Sequence, residues 1–146
     1  MSVTVPFETT LWVRDHCLCL HTQRAARALA RRFDEALRPV GLTSGQFSLL
    51  MSLNRPEPPT LGSVATFLAM DRTTLTAALK PLERGGLVTI AIDDKDRRSR
   101  RLVLTDGGRS TLAEAVPIWC RTHDAIDARL DGLDPPGLRM SLRALE

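Results

Sequence analysis

The stretch from Met70 to Arg84 constrains the fold more than any other part of the sequence. Leu75, Leu79 and Leu82 recur at the spacing of one helical face, which predicts an amphipathic helix with a buried stripe. Asp71 precedes this pattern, where its carboxylate can accept a free backbone N–H of the first helical turn. The opposite face carries short hydroxyl and methyl side chains with cations between them: Arg72, Thr73, Thr76, Ala77 and Lys80.

This polar face suits the major groove of DNA. Short side chains let a helix lie deep in a groove, threonine and alanine can contact a thymine methyl, and arginine or lysine can reach guanine or phosphate. We therefore interpret the stretch as a DNA recognition helix; the alternative is an ordinary amphipathic helix with a threonine-rich exposed face. Pro81 lacks a backbone donor and should clash with the preceding turn, so we expect a kink or a loosened last turn.

The charge balance permits nucleic-acid binding without requiring it. The chain of 146 residues has 20 Lys plus Arg against 17 Asp plus Glu, a net charge of +3. Nearly all the cations are arginines, whose planar fork binds phosphate and guanine bidentately. The 3 cysteines form no framework spacing and no signal peptide is apparent, so we expect free thiols and a cytoplasmic protein. No apolar run approaches the roughly 20 residues of a membrane span, and no membrane partner is expected.

The segments around the recognition helix complete a winged helix-turn-helix pattern. Thr60 is placed to cap a short helix before it, and Gly85–Gly86 ends it. Two β-branched segments with a charged turn between them then predict a basic β-hairpin, the wing: residues 87–92, 93–100 and 101–104. Thr43 or Ser44 is placed to cap a further helix that ends near Leu53. Residues 43–104 are therefore expected to form the DNA-binding part.

Both ends of the chain are predicted to be helical. The first pattern is long and runs from about Thr9 or Thr10 to Leu37. Thr105 caps another long pattern that contains Pro117, and a last helix follows Asp134. Helices of this length exceed what the core of so small a protein needs, so we expect residues 9–38 and 106–146 to pair with a second chain. The fold class is mainly α with a β-hairpin wing, in one domain over residues 1–146.

Several short motifs in this order resemble those of the MarR family of bacterial transcription regulators, over about residues 10–146. The most specific are the segments around the end of the recognition helix, in the wing and after it: Leu82–Val88, read L-E-R-G-G-L-V; Asp96–Arg100, read D-R-R-S-R; and Leu104–Gly108, read L-T-D-G-G. Asp71–Thr74 also resembles a common start of the family's recognition helix.

The resemblance implies a homodimer in which the terminal helices of two chains interlock. Recognition helices would enter successive major grooves of a pseudo-palindromic operator in double-stranded DNA, and the wings would reach the flanking minor grooves. Most members are repressors released by a small ligand, an oxidant or a metal. We therefore expect a sequence-specific DNA-binding transcription regulator, a dimeric repressor released by a small-molecule effector, with no resident cofactor.

The candidate DNA contacts fall into three groups. In the recognition helix they are Arg72, Thr73, Thr74, Thr76 and Lys80. At the start of the preceding long helix they are Thr43, Ser44 and Gln46, which resemble positions that hold phosphates in the family and lie at a helix end that favours anions. In the wing they are Arg97, Arg98 and Arg100, because a narrow minor groove favours arginine insertion. Asp96 is expected to be structural and, by the resemblance, to pair with a wing arginine.

Three hypotheses for the trigger remain open from the sequence. An aromatic acid or similar effector would bind between the dimerisation and DNA-binding parts, and the candidate residues for that pocket are Trp12, Arg24, Arg27, Arg31, Phe33 and Phe47. A thiol switch would use Cys19, which resembles the reactive position of hydroperoxide sensors, with Cys17 or Cys120, although the chain lacks the tyrosines those sensors use. A metal site is less favoured and would use Cys17, His21, Cys120 and His123.

Two other classes of function fit the sequence poorly. For an enzyme we find no Gly-rich phosphate loop, no paired carboxylates in an apolar setting and no nucleophile elbow. A protein-interaction adaptor built on a winged helix would expose large apolar anchors on its recognition helix. Thr73, Thr76 and Lys80 do not match that requirement.

Overall fold

The structure, a computed structural model, describes residues 3–146. Seven α-helices and two strands follow one another in the described chain: α1 Phe7–His16, α2 Leu18–Leu37, α3 Ser44–Leu53, α4 Leu61–Phe67, α5 Arg72–Arg84, β1 Val88–Ile92, β2 Arg100–Leu104, α6 Asp106–Arg129 and α7 Pro135–Arg143. A short 3₁₀ turn, Arg38–Val40, follows α2, and Gly41 adopts a left-handed conformation after it. The mainly helical fold with a β-hairpin is confirmed.

Hydroxyl and carboxylate caps begin most of the helices around the wing. Thr43, Thr60 and Thr105 each accept a backbone N–H of the first turn of α3, α4 and α6. Asp71 does the same for α5 through the N–H of Thr74. Each of these caps was predicted, because capping depends on a single local residue type.

The wing is an antiparallel hairpin whose register pairs Val88 with Leu104 and Ile92 with Arg100. The segment before α4 lies alongside β2: Leu102 N–H donates to the carbonyl of Pro59 at 2.9 Å, and Thr60 bridges to Arg101. This contact fixes the base of the wing to the helix-turn-helix.

The apolar core lies inside the winged helix-turn-helix and the parts of α2 and α6 that face it. The leucine stripe predicted for α5 is fully buried there, with Leu75 and Leu79 at 0% exposure and Leu82 at 2%. It packs in a cluster with side chains from α2, α3, α4, the wing and α6, including Leu37, Leu50, Val64, Leu102 and Ala115. By contrast, neither α1 nor α7 contains a buried residue.

The single long first helix predicted from the sequence is wrong. Its first segment begins at Phe7, and the chain leaves helical geometry at Cys17, which has φ −71° and ψ 105°. The Cys17 Sγ accepts the N–H of Leu20 at 3.4 Å and so caps α2. Without proline or glycine in this region, no local signal marks the break.

Pro81 does not end α5. The last turn remains helical to Arg84, and Gly85 N–H donates to the Pro81 carbonyl at 2.9 Å. The predicted loosening of this turn is therefore wrong; the buried leucine stripe on both sides of Pro81 keeps the segment in place. Within residues 3–146, no helix is both long enough and apolar enough to cross a membrane.

Candidate nucleic-acid interface

The outer face of α5 presents the polar residues that the sequence predicted. Arg72, Thr73, Thr76 and Lys80 are all exposed. The Thr76 hydroxyl donates to the carbonyl of Arg72 at 2.7 Å, which satisfies its proton within the helix. The face therefore offers two cations beside short side chains, and its surface is shallow enough to approach a groove floor.

Thr74 serves the helix cap. Its backbone N–H and its hydroxyl donate to the two carboxylate oxygens of Asp71, each at 2.7 Å. These two bonds, the backbone one first, lower the pKa of Asp71 below its usual value. Thr74 is exposed and not part of the buried stripe, but its hydroxyl is already engaged in holding the N-terminus of α5.

The start of α3 is internally satisfied by a reciprocal capping box. Gln46 N–H donates to Thr43 Oγ1 at 3.2 Å, and Thr43 N–H donates to Gln46 Oε1 at 3.0 Å. The Ser44 N–H donates to a carboxylate oxygen of Asp34 at 2.6 Å. No local residue pattern indicated this last contact, because Asp34 lies in α2. The predicted phosphate site at this helix end thus already holds a protein carboxylate.

Asp96 shapes the wing tip through backbone contacts. One carboxylate oxygen accepts the Arg98 N–H at 3.0 Å, and its carbonyl accepts the Ser99 N–H at 2.8 Å. The expected ion pair between Asp96 and a wing arginine does not occur in the part of the chain that the structure describes. The tight turn aims the carboxylate at a backbone N–H instead. Arg97, Arg98 and Arg100 are exposed around it.

The carboxylate–arginine pair of the wing lies at its base. Arg101 Nη2 is 3.2 Å from an oxygen of Asp93, and Arg101 Nη1 donates to the carbonyl of Pro58 at 2.7 Å. The Lys95 N–H and then Arg101 lower the pKa of Asp93, against the opposing effect of desolvation. Sequence reasoning missed this pair, since several nearby acids and arginines offer equivalent pairings.

The structure brings Arg72 of α5 to the wing tip. Arg72, Arg98 and Arg100 line one cavity of about 240 Å³, together with Asp96 and residues at the start of α4. Lys80 and Arg97 do not line it. Of the α5 and wing cations that the sequence predicted separately, Arg72, Arg98 and Arg100 thus line one cavity.

An aromatic cavity of about 250 Å³ is lined by residues of α2, α3 and α6. Its lining is largely apolar, with two serine hydroxyls and one imidazole: Phe33, Leu37, Ser44, Phe47, Ser48, Trp119 and His123. The Trp119 ring centroid lies 6.0 Å from that of Phe47 and 4.7 Å from that of His123. A neighbouring cavity of about 440 Å³ shares Phe47, Ser48 and Trp119 and reaches Arg55.

Only part of the predicted effector pocket is assembled in this chain. Phe33 and Phe47 line the aromatic cavity, but Trp12 stacks on His16 in α1 at 4.7 Å and is 61% exposed. The α2 arginines expected in the pocket, Arg24, Arg27 and Arg31, are exposed and line neither aromatic cavity. Trp119 and Arg55 line the cavities where Trp12 and the α2 arginines were expected. The sequence could have suggested Trp119, because it is one of only 2 tryptophans.

The cysteines are free thiols, and the four residues of the predicted metal site are not gathered. The Cys19 Sγ accepts from Gln23 Nε2 at 3.2 Å, Cys17 caps α2, and Cys120 is exposed on α6. His21 Nδ1 lies 2.8 Å from the carbonyl of Cys17, while His123 packs on Trp119. Residues 3–146 contain no group of three or more side chains suited to a metal ion.

Comparison with known proteins identifies the family. A model described as MarR family matches residues 42–99. The crystal structure of the M. tuberculosis transcriptional regulator MosR in complex with DNA is 38% identical, has a TM-score of 0.82, and the match covers 89% of this chain and 93% of that one. The chain belongs to the MarR family.

Two other MarR-type neighbours carry names that bear on function. The transcriptional repressor CouR bound to a 23-mer DNA duplex is 32% identical with a TM-score of 0.72, covering 91% of this chain and 92% of that one. CouR has also been solved bound to p-coumaroyl-CoA. The transcriptional activatory protein BadR of Rhodopseudomonas palustris is 34% identical over 89 residues, or 59% of this chain. This MarR-family chain spans about half the length of the curated relatives it matches, 51% for BadR and 49% for a second regulator.

Proposed function

We propose that this chain is a sequence-specific DNA-binding transcription regulator, acting in the cytoplasm as a homodimeric repressor that a small-molecule effector releases. Its role is binding rather than catalysis. One observation carries the proposal: α5 exposes a short-side-chain, cationic face beside a basic wing, in a MarR-family chain that superposes on a DNA complex. Double-stranded DNA with a pseudo-palindromic operator is the proposed partner.

Base recognition is assigned to α5. Thr73, Thr76 and Lys80 would face the major groove, where methyl contacts and charge-assisted hydrogen bonds distinguish base pairs. Arg97, at the wing tip, would reach the minor groove. Thr74 supports the cap of α5, and the capping box of Thr43 and Gln46 stabilises the first turn of α3.

The terminal helices supply the proposed dimer interface. They leave many large apolar side chains exposed in the single chain: Phe7, Trp12, Val13, Leu138, Met140, Leu142 and Leu145. Such a concentration of exposed apolar surface is typical of an interaction site. Helices from two chains packed face to face would bury it, as in a helical bundle, and would set the distance between the two copies of α5.

The effector is proposed to bind in the aromatic cavity around Trp119. Its walls are aromatic, and Arg55 lies at the rim of the adjoining cavity, 5.6 Å above the ring of Phe67. This combination suits an aromatic acid or thioester, with the rings of Phe47 and Trp119 against its ring and Arg55 on its anionic end. Because α2, α3 and α6 all line the cavity, a ligand there would change how α3 of the DNA-binding part packs against the two long helices.

A DNA titration against fragments of the gene's own upstream region tests the main proposal. Fluorescence anisotropy at two salt concentrations should give tight binding to one fragment, with an affinity that falls steeply with salt. A scrambled fragment of equal length is the control, and equal affinity for both would reject sequence-specific binding. Expression of a reporter behind the bound fragment should rise when the regulator is deleted; a fall would reverse the proposed sign of regulation.

The effector proposal has its own spectroscopic test. In a Trp12→Phe variant, Trp119 is the remaining tryptophan, so ligand binding in the aromatic cavity should change the intrinsic fluorescence. Cinnamic and benzoic acids and their coenzyme A thioesters should quench it and release the DNA fragment. The Arg55→Ala variant should no longer bind the carboxylic acids, whereas the Arg24→Ala variant, changed on the exposed face of α2, should still bind them. Quenching that is identical in both variants would exclude Arg55 as the anion partner.

A further inference from the structure

The cavity between α5 and the wing has an unusual concentration of positive charge. Three arginines and one carboxylate line its 240 Å³, and the other lining residues are neutral. The full lining is Thr60, Leu61, Gly62, Arg72, Asp96, Arg98, Ser99 and Arg100. Its formal charge is therefore 3 − 1 = +2. The arginines come from separate elements, because Arg72 begins α5 whereas Arg98 and Arg100 belong to the wing.

Gly62 gives Arg72 its position in this cavity. A Cβ added at residue 62 would lie 2.9 Å from Nη2 of Arg72 and 3.6 Å from its Cζ. The guanidinium therefore lies directly against the backbone of α4. Gly62 is inside a helix, where alanine is ordinarily the better helix former, and the absence of a side chain there leaves room for the guanidinium.

The wing arginines are held beside this position without being neutralised. The carboxylate of Asp96 accepts the backbone N–H of Arg98, and Arg100 Nη1 donates to the carbonyls of Arg97 and Ser99 at 3.1 and 3.2 Å. Across residues 3–146, none of the ion pairs involves Arg72, Arg98 or Arg100. Three arginines thus line one small cavity that contains a single carboxylate, and the net positive charge suits a ligand that is itself an anion.

We propose that Arg72, Arg98 and Arg100 together bind one phosphate group in this cavity. The proposal rests on the proposed function for the source of that group, a phosphate of the DNA backbone. Major and minor grooves are separated by one sugar–phosphate strand, so a helix in one groove and a wing in the next enclose that strand between them. Inorganic phosphate is the alternative source of the same chemistry.

A shared phosphate predicts a specific non-additivity in the salt dependence of DNA binding. Each phosphate neutralised contributes about 0.9 to the slope of log K against log salt. If the three arginines hold one phosphate, the Arg72→Ala/Arg98→Ala double variant should lose no more than about 0.9 per protomer in total, because Arg100 still faces that phosphate. If each held its own phosphate, the double variant would lose about 1.8 per protomer, and the shared site would be rejected.

Arg97 provides the matched control, since it neighbours Arg98 in the wing but does not line the cavity. The losses that Arg72→Ala and Arg97→Ala cause in the salt slope and in the free energy of DNA binding should simply add in the double variant. Coupling of equal size in the two pairs would mean that the wing responds as a whole, and it would overturn the assignment to this cavity.

A glycine substitution tests the position of Arg72 without removing any charge. Gly62→Ala should displace the guanidinium and weaken DNA binding in the same direction as Arg72→Ala, while the melting temperature stays the same or rises. Gly107→Ala is the control, because its new Cβ would meet neighbours only at 3.5 Å or more. An unchanged DNA affinity in a folded Gly62→Ala protein would contradict the role given to Gly62.

A titration with inorganic phosphate separates this proposal from the proposed function. The Nε–H signals of Arg72, Arg98 and Arg100 in ¹⁵N NMR spectra should shift together with millimolar phosphate, and not with chloride at matched ionic strength. If the protein bound no DNA fragment but these signals moved, the phosphate site would stand and the DNA source would be wrong. If the signals stayed fixed in a protein that binds DNA, the shared phosphate site would be wrong.

Discussion

The winged helix-turn-helix and the terminal helices differ in how much of their apolar surface the single chain buries. The first contains side chains at 0% exposure, such as Leu50, Leu75 and Leu79. The second, α1 and α7, contains no buried residue, and Met140 is 71% exposed. The DNA-binding part can hold its shape with its own contacts, whereas the terminal helices require a second surface to cover them. Four experiments sharpen this comparison.

The largest expected effect is in the core. Leu79→Ala removes a fully buried side chain from the stripe of α5 and should lower the free energy of unfolding by about 2–5 kcal/mol. Leu142→Ala in α7, which is 44% exposed, should cost far less at a protein concentration where the chain is monomeric. Urea denaturation of both variants measures the difference; similar losses would mean that the two regions are not distinct.

The next effect concerns association. Leu138→Glu with Leu142→Glu places two charges on the exposed apolar face of α7 and should weaken the dimer by more than about 2 kcal/mol, or roughly 30-fold. Light scattering across a dilution series measures this. Ile92→Glu is the control, since Ile92 is similarly exposed at 51% but lies in the wing. A dimer weakened equally by both changes would place the interface elsewhere.

A smaller effect is expected where the two regions join. The Thr105 hydroxyl accepts the Gly108 N–H at 2.9 Å and donates to the carbonyl of Gly86 at 2.6 Å, linking the start of α6 to the end of α5. Thr105→Ala should therefore cost about 1–2 kcal/mol in thermal or urea unfolding. Thr105→Ser keeps the hydroxyl and should recover most of the loss; failure to do so would point to the methyl group instead.

The smallest effect is local to the wing and depends on pH. The folded pKa of Asp93 lies below its unfolded value of about 3.9, so its contribution is present above that value and is lost as pH falls through the folded pKa. The protection factors of amides in β1 and β2, which are corrected for the intrinsic pH dependence of exchange, should therefore fall in acid below about pH 4. Asp93→Asn should remove this dependence, and an unchanged acid response in the variant would assign it to another carboxylate.

The sequence determined the local features of this protein. Capping residues such as Asp71 and Thr105 begin helices through bonds to the next few residues, and the leucine stripe of α5 follows from helical periodicity. The wing was equally clear, because β-branched residues flank a charged turn. The motifs that resemble the MarR family were readable for the same reason, since they are short and contiguous.

Only the tertiary structure decided what distant residues do together. The break at Cys17 has no local signal, and Trp12 and the α2 arginines lie away from the cavity that Trp119 and Arg55 line instead. Arg72 meets the wing arginines only because α4, α5 and the hairpin pack around one core, and Gly62 leaves room for its guanidinium. Pairings across many residues depend on how helices pack, and a residue pattern carries no record of which neighbours that packing will bring.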